Sequence, residues 1–229
     1  MARREAAFAE DLAVSLGAWA YAPCLPVITI VLGIVAFGLP DLLGPGGLLV
    51  SLPAELLLLG WAGTQRSWYL RLLRGSQLER QELWPFTWAF LGRYVALGFL
   101  AGFVFAVVAV PLSVAVNGPV ARTIVGLPVV FVGDFVLTFV TPALAFSTRQ
   151  VSEALSIGWR TLWDGWPATA PYAVAAPLLL IGVGQLLSRT LGAGGFAASL
   201  VGLLLALWFK GATAVYYLRI HRVGDDGAA

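Results

Sequence analysis

The chain of 229 residues reads as an all-α polytopic membrane protein, a bundle of six transmembrane helices with amphipathic helices along one surface. Three observations predict this. Hydrophobic residues make up 59% of the chain and charged residues only 11%, against roughly 25% charged in ordinary soluble domains. The mean hydropathy is +0.87. The apolar residues also gather into stretches near the roughly 20 residues that a helix needs to cross a bilayer. The whole of 1–229 is expected to form one membrane domain, because no segment between spans is long enough for a second.

In chain order, residues 1–22 form an interfacial N-terminal segment. It carries Arg3, Arg4, Glu5, Glu10 and Asp11 and lacks a small-x-small cleavage site, so it does not read as a cleaved leader. The spans follow as Pro23–Leu39, Leu48–Gln65, Arg93–Val116, Ala121–Phe146, Ala168–Leu187 and Gly194–Leu218, separated by clusters such as PDLLGPGG and NGP. Residues 219–229 are expected to be a flexible C-terminal tail. Cys24 is the single cysteine, which excludes an intrachain disulfide and any multi-cysteine metal site.

Charge sets the orientation. Twelve of the fourteen Lys and Arg residues fall on one side of these spans, and only Arg122 and Arg189 on the other. By the positive-inside rule both termini are cytoplasmic. Trp and Tyr crowd the same side. The basic character, with a sequence pI near 8.9, is thereby a matter of topology and not of nucleic-acid binding.

Two stretches on that side have helical amphipathic spacing. In 149–166, Val151, Leu155, Trp159, Leu162 and Trp166 recur at three- and four-residue steps, with Arg149, Glu153, Arg160 and Asp164 between them. Arg149/Glu153 and Arg160/Asp164 are also spaced as i,i+4 ion pairs. In 66–83, Trp68, Leu72 and Leu73 oppose Arg71, Arg74, Glu79 and Arg80. Both stretches suit helices lying in the headgroup layer. WPFT at 84–87 and WPAT at 166–169 each open a span, with WAYAP at 19–23 as a weaker third copy; proline suits a helix start because its missing N–H is not needed there.

The segment PALAFSTRQVSEALSIGWRTL at 142–162 and the Gly-x-x-Arg-rich turn GTQRSWYLRLLRG at 63–75 resemble the linkers of a broad group of six-helix prokaryotic membrane proteins. The group comprises the DUF4013, DUF975 and YciC-like families and the membrane domain attached to some glycerophosphodiester phosphodiesterases. The resemblance covers most of the chain in layout but only these two linkers in residues. It implies the fold and a prokaryotic inner membrane. No phosphodiesterase domain is read here, so no activity carries over.

Two sets of residues are candidates for function. Asp134, in LPVVFVGDFVLTFV, falls near mid-bilayer, where an acidic group costs about 3 kcal/mol and is by default a functional residue. Glu55 and Lys210 join it as a candidate intramembrane polar site. The structural alternatives are a protonated Asp134 bonded to Thr138, a hydrated Glu55 and a Lys210 that snorkels to the interface. The second set, Arg66, Trp68, Tyr69, Arg71, Arg74, Arg80, Trp159, Arg160 and Trp163, is a candidate lipid or partner face. Gly98-x-x-x-Gly102 and the series Gly194, Ala198, Gly202, Ala206 are packing stripes.

Catalysis is not expected. His221 is the only histidine, and no nucleophile–base set or metal-ligand cluster is spelled out. No cofactor or metal is expected. The partners expected are membrane lipids, with a protein partner or a second copy of the chain as further options, and no nucleic acid. The sequence thus points to a non-enzymatic membrane scaffold or accessory module, with a small transporter using Asp134 and Glu55 as the alternative.

Overall fold

A computed structural model describes residues 2–38, 47–73, 80–115, 128, 131–175, 177–179, 181–183, 186 and 196–221. Among these the chain is helical throughout. Helix α1 (Ala2–Tyr21) is followed after a bend of 86° at Ala22–Pro23 by α2 (Cys24–Gly33), which widens into a π turn over Ile34–Gly38. Helix α3 (Leu48–Leu73) is 26 residues long and α4 (Leu83–Ala115) is 33. A helical stretch from Phe131, broken at 138–139, leads into α5 (Val140–Phe146). The surface helix α6 (Val151–Asp164), the short α7 (Trp166–Ala170) with a π turn over Pro171–Ala175, and α8 (Phe196–Ile220) complete the order.

Three helices are long and apolar enough to cross a membrane, Leu83–Val108, Trp166–Val183 and Leu200–Ile220, and a fourth is reached if the bent pair Ala7–Tyr21 and Cys24–Gly38 counts as one span. The protein is therefore a multi-pass helical membrane bundle. The count of six spans is coarser in the structure than in the sequence reading. Phe131–Phe146 is a shorter apolar helix, and most of the expected outer part of the fourth span, with the turns near 44 and 118, lies outside the described residues.

The distribution of side chains is that of a protein dissolved in lipid. Phe99 and Phe103 on α4 are 73% and 69% exposed, whereas Thr29, Ser51, Thr64, Thr87 and Thr213 are buried. Large apolar groups facing outward would be a liability in water but match hydrocarbon. The buried hydroxyls stay satisfied by bonding the carbonyl four residues back: Thr29 to Leu25 at 2.7 Å, Thr87 to Leu83 at 2.8 Å and Thr213 to Phe209 at 3.1 Å. Such back-bonding keeps polar groups usable inside a bilayer. Thr64 and Thr87 then bond each other at 2.8 Å across antiparallel α3 and α4.

The three Pro-containing starts of the repeat do open helices. Pro23 precedes α2, Pro85 lies in the first turn of α4, and Pro167 lies in the first turn of α7. The threonines two residues later, Thr87 and Thr169, are both buried; Thr87 bonds the Leu83 carbonyl at the start of its own helix, and Thr169 bonds the Leu162 carbonyl of α6.

The N-terminal segment departs from the expectation of a helix that merely floats in the interface. Asp11, Ser15, Ala18 and Ala22 form a buried stripe at steps of three and four residues, the spacing of one helix face, and that stripe packs across α8. Ser15 donates to the carbonyl of Trp208 at 2.8 Å, and the Trp208 indole N–H donates to the carbonyl of Leu12 at 2.9 Å. The contact is close because of Gly211: a Cβ there would collide with the Ser15 and Tyr69 hydroxyls. The C-terminal boundary is also corrected. Helix α8 runs through Ile220, so Arg219 and His221 belong to the packed end and not to a tail; residues 222–229 lie outside the described part.

The 66–83 stretch is corrected as well. Helix α3 continues unbroken through Leu73, so residues 66–73 are the end of a long bundle helix and not a separate interfacial one.

Candidate functional site

Several polar residues of the bundle line cavities on either side of Lys210, which is itself half exposed. Its ammonium lies 3.8 Å from the Asp134 carboxylate, so two of the three sequence candidates pair. Thr138 does not bond the Asp134 carboxyl; its hydroxyl donates to the Asp134 backbone carbonyl at 2.7 Å. That leaves the carboxylate to Lys210. Asp134 and Lys210 share the wall of a cavity of about 70 Å³ with Thr138, Thr141, Tyr172 and Thr213. Those side chains supply enough polar partners, and the volume is large enough, for water.

Glu55 does not join the ion pair. It borders a second cavity, about 380 Å³, that also touches Lys210 together with Thr29, Gln65 and Arg66. Lys210 therefore stands between two cavities. Glu55 and Arg66 sit eleven residues apart on α3, about 16 Å along its axis. The Gln65 amide donates to Thr29 at 2.7 Å, and the Trp61 indole N–H donates to the same hydroxyl at 3.0 Å, tying α3 to α2.

Tyr172 connects the smaller cavity to a cluster that the sequence reading missed. It sits in the widened turn after α7, and its hydroxyl donates to Asp11 at 2.5 Å. Asp11 is 0% exposed, and its other carboxylate oxygen is ion-paired with Arg219. Burial raises the Asp11 carboxyl above its ordinary value, against smaller opposing contributions from the Tyr172 hydrogen bond and the Arg219 charge. Phe8 packs edge-on against Tyr172 at 4.8 Å, and Tyr216 covers it at 4.7 Å. The available signal was the 11–15–18–22 spacing in α1. An acid and a hydroxyl in that stripe disguised it as a solvated face.

The expected lipid or partner face divides in two. Arg66, Trp68 and Tyr69 are buried and are withdrawn from it. Arg66 lies 4% exposed over the Tyr94 ring, 5.3 Å from its centre, and the Tyr69 hydroxyl approaches Ser15 at 3.5 Å. Arg71 is partly covered and pairs with Glu82 at 3.5 Å. Arg74 and the side chain of Arg80 lie outside the described residues.

Trp159, Arg160 and Trp163 on α6 do face outward. The helix packs with Ala154, Gly158, Thr161 and Leu162, and of the apolar row read from the sequence Val151, Leu155, Leu162 and Trp166 lie against the core while Trp159 alone turns outward. Gly158 makes this possible: a Cβ there would stand 2.6 Å from the backbone nitrogen of Val140. The tryptophans are thereby turned to the flank, where Trp159 meets Trp163 at 5.5 Å and Trp163 meets Trp166 at 5.2 Å, with Phe135 beside them.

The two expected i,i+4 ion pairs are absent from α6. Arg149 precedes the helix, and Glu153 instead accepts from the Thr148 hydroxyl, which also accepts from the Gln150 N–H at 3.1 Å. At the other end of α6, Thr161 bonds the His221 ring at 3.0 Å. Burial lowers the histidine below its ordinary value. Among the described residues no three His, Cys, Asp or Glu side chains gather as metal ligands.

No protein-family model matches the chain, and no curated protein or solved structure does either.

Proposed function

We propose that this protein is a non-enzymatic membrane module that binds anionic lipid through the outward face of α6. One observation carries the reading: Trp159 and Trp163 are about half exposed beside Arg160, on a helix whose opposite, small-residue face is fully used in packing. Exposed indoles suit the headgroup layer, and a neighbouring arginine adds about 1 kcal/mol of attraction to anionic lipid. Compartment and orientation, a prokaryotic inner membrane with both termini cytoplasmic, belong to the same proposal and rest on the arginine asymmetry. Kinship with the six-helix group rests on the two linker sequences.

The test is tryptophan quenching by brominated lipids in reconstituted vesicles, with a Trp159→Phe/Trp163→Phe chain as background. Brominated phosphatidylglycerol is expected to quench the two indoles more than brominated phosphatidylcholine. Changing Arg149 and Arg160 to Gln is expected to remove the difference. Equal quenching by both lipids in the parent chain refutes the reading.

A specific observation favours a second reading, a path for a proton or small ion. Arg219, Asp11 and Tyr172 lead to the smaller cavity, Lys210 and Asp134 stand behind it, and the larger cavity continues to Glu55. Intramembrane ionisable residues in series are the usual material of such paths. Asp134→Asn and Glu55→Gln are then expected to abolish proton or ion flux in vesicles, whereas the lipid-binding module would leave no flux to lose.

A further inference from the structure

The larger cavity is lined by a cation, Arg66, that has no counter-ion among the described residues. One terminal nitrogen of Arg66 donates to the Ala62 carbonyl at 2.6 Å, the guanidinium lies over Tyr94, and its Nε has no hydrogen-bond partner. Among the described residues no carboxylate is within ion-pair distance of it. Glu55 is about 16 Å away along α3, and Asp134 is engaged by Lys210. Among the described residues this buried charge meets Tyr94 and one carbonyl but no anion, which is unfavourable. It calls for an anion.

The rest of the cavity says what kind. Its volume of about 380 Å³ falls in the range of small-molecule sites. Besides the polar Thr29, Gln65 and Glu55, the wall carries the apolar Phe37, Leu59, Leu203 and Leu207. Lys210 and Glu55 are exposed at its margin, so the cavity is open to the surroundings of the bundle. A free inorganic anion would satisfy the arginine and leave the leucine wall unfilled. A molecule with both an anionic head and an apolar tail satisfies both.

We propose that this cavity binds one anionic amphiphile, its carboxylate or phosphate head held by Arg66 and Lys210 and its tail lying against Leu59, Leu203 and Leu207. The site is internal and independent of the α6 face, so either can fail without the other. Native mass spectrometry of the full chain released from phosphatidylcholine nanodiscs, challenged separately with palmitate, lysophosphatidate and inorganic phosphate, tests it. Palmitate or lysophosphatidate is expected to remain bound, and the one retained tells whether the head is a carboxylate or a phosphate.

Ala206→Phe fills the cavity from the wall without removing a charge, and Arg66→Gln removes the cation. Both are expected to reduce the adduct at least tenfold, while Arg160→Gln on α6 leaves it unchanged. If Arg66→Gln fails to fold, Ala206→Phe decides alone. Absence of both amphiphile adducts from the parent chain, an adduct that survives Ala206→Phe, or inorganic phosphate retained as well as the amphiphiles would overturn the assignment.

Discussion

Asp11 is the residue whose environment differs most from its appearance in the chain. In EAAFAEDLAVSLGAW it stands among charges, yet it is fully buried between Tyr172 and Arg219. Its raised carboxyl means that the folded chain holds a proton there more tightly than the unfolded chain does. Stability from this group is therefore greatest below its ordinary value of 3.8 and declines as the pH rises from there to the raised folded value. Thermal unfolding of the detergent-solubilised protein across that window is expected to show the decline, and Asp11→Asn to flatten it. The sequence analysis found Asp134 and Lys210 because charges inside apolar runs stand out. It missed Asp11 because an acid in a mixed-polarity helix looks solvated, and only the tertiary contact with α8 shows otherwise.

At the scale of one helix, α6 shows how lipid alters the reading of a pattern. Its existence and approximate ends were legible from the three- and four-residue spacing in 149–166. Most of the face that packs was legible too, since Val151, Leu155, Leu162 and Trp166 lie against the core; the outward turn of Trp159 was not. Water drives the largest apolar residues inward, whereas helices in a membrane approach through small ones and leave large side chains to the hydrocarbon or the headgroups. Gly158 and Ala154 therefore take the interior, and Trp159 and Trp163 the outside. Gly158→Ala is expected to destabilise the protein by about 1–3 kcal/mol, since overpacking against backbone cannot relax easily. Gly202→Ala is expected to be neutral or mildly stabilising, because a Cβ there meets nothing within 4 Å. Unfolding of both variants under identical detergent conditions checks the contrast. Helix α3 repeats the lesson: the arginines of 66–74 suggested an interfacial helix, but Arg66 and Tyr69 are held inside by Tyr94 and Ser15.

For the whole molecule, composition and long apolar runs made the membrane class legible, because burial of backbone in hydrocarbon admits few alternatives to a helix bundle. The number of spans was less legible, since Cys24–Gly38 and Phe131–Phe146 are short for a crossing and α1 bends away by 86°. Orientation rests on charge alone and has its own test. Single cysteines placed at Gly44 and at Asp225 of a Cys24→Ser chain are expected to react from opposite faces of intact cells, position 44 with an external impermeant maleimide and position 225 only after lysis. Reaction of position 225 from outside with position 44 protected would reverse the arrangement, and reaction of both from outside would refute the opposite placement of the two positions.

The clasp between Asp11 and Arg219 joins positions 208 residues apart. At roughly 5–20 residues per second, the opening helix leaves the ribosome about 10–40 s before its seat has been made. Until then a carboxylate and a serine wait at the bilayer edge with nothing to dock on. The contact of α1 with α8 consequently forms only after the helices between them have been made, and a chain halted before Trp208 would be inserted but unlatched, with α1 open to a protease that cannot reach it once α8 has docked.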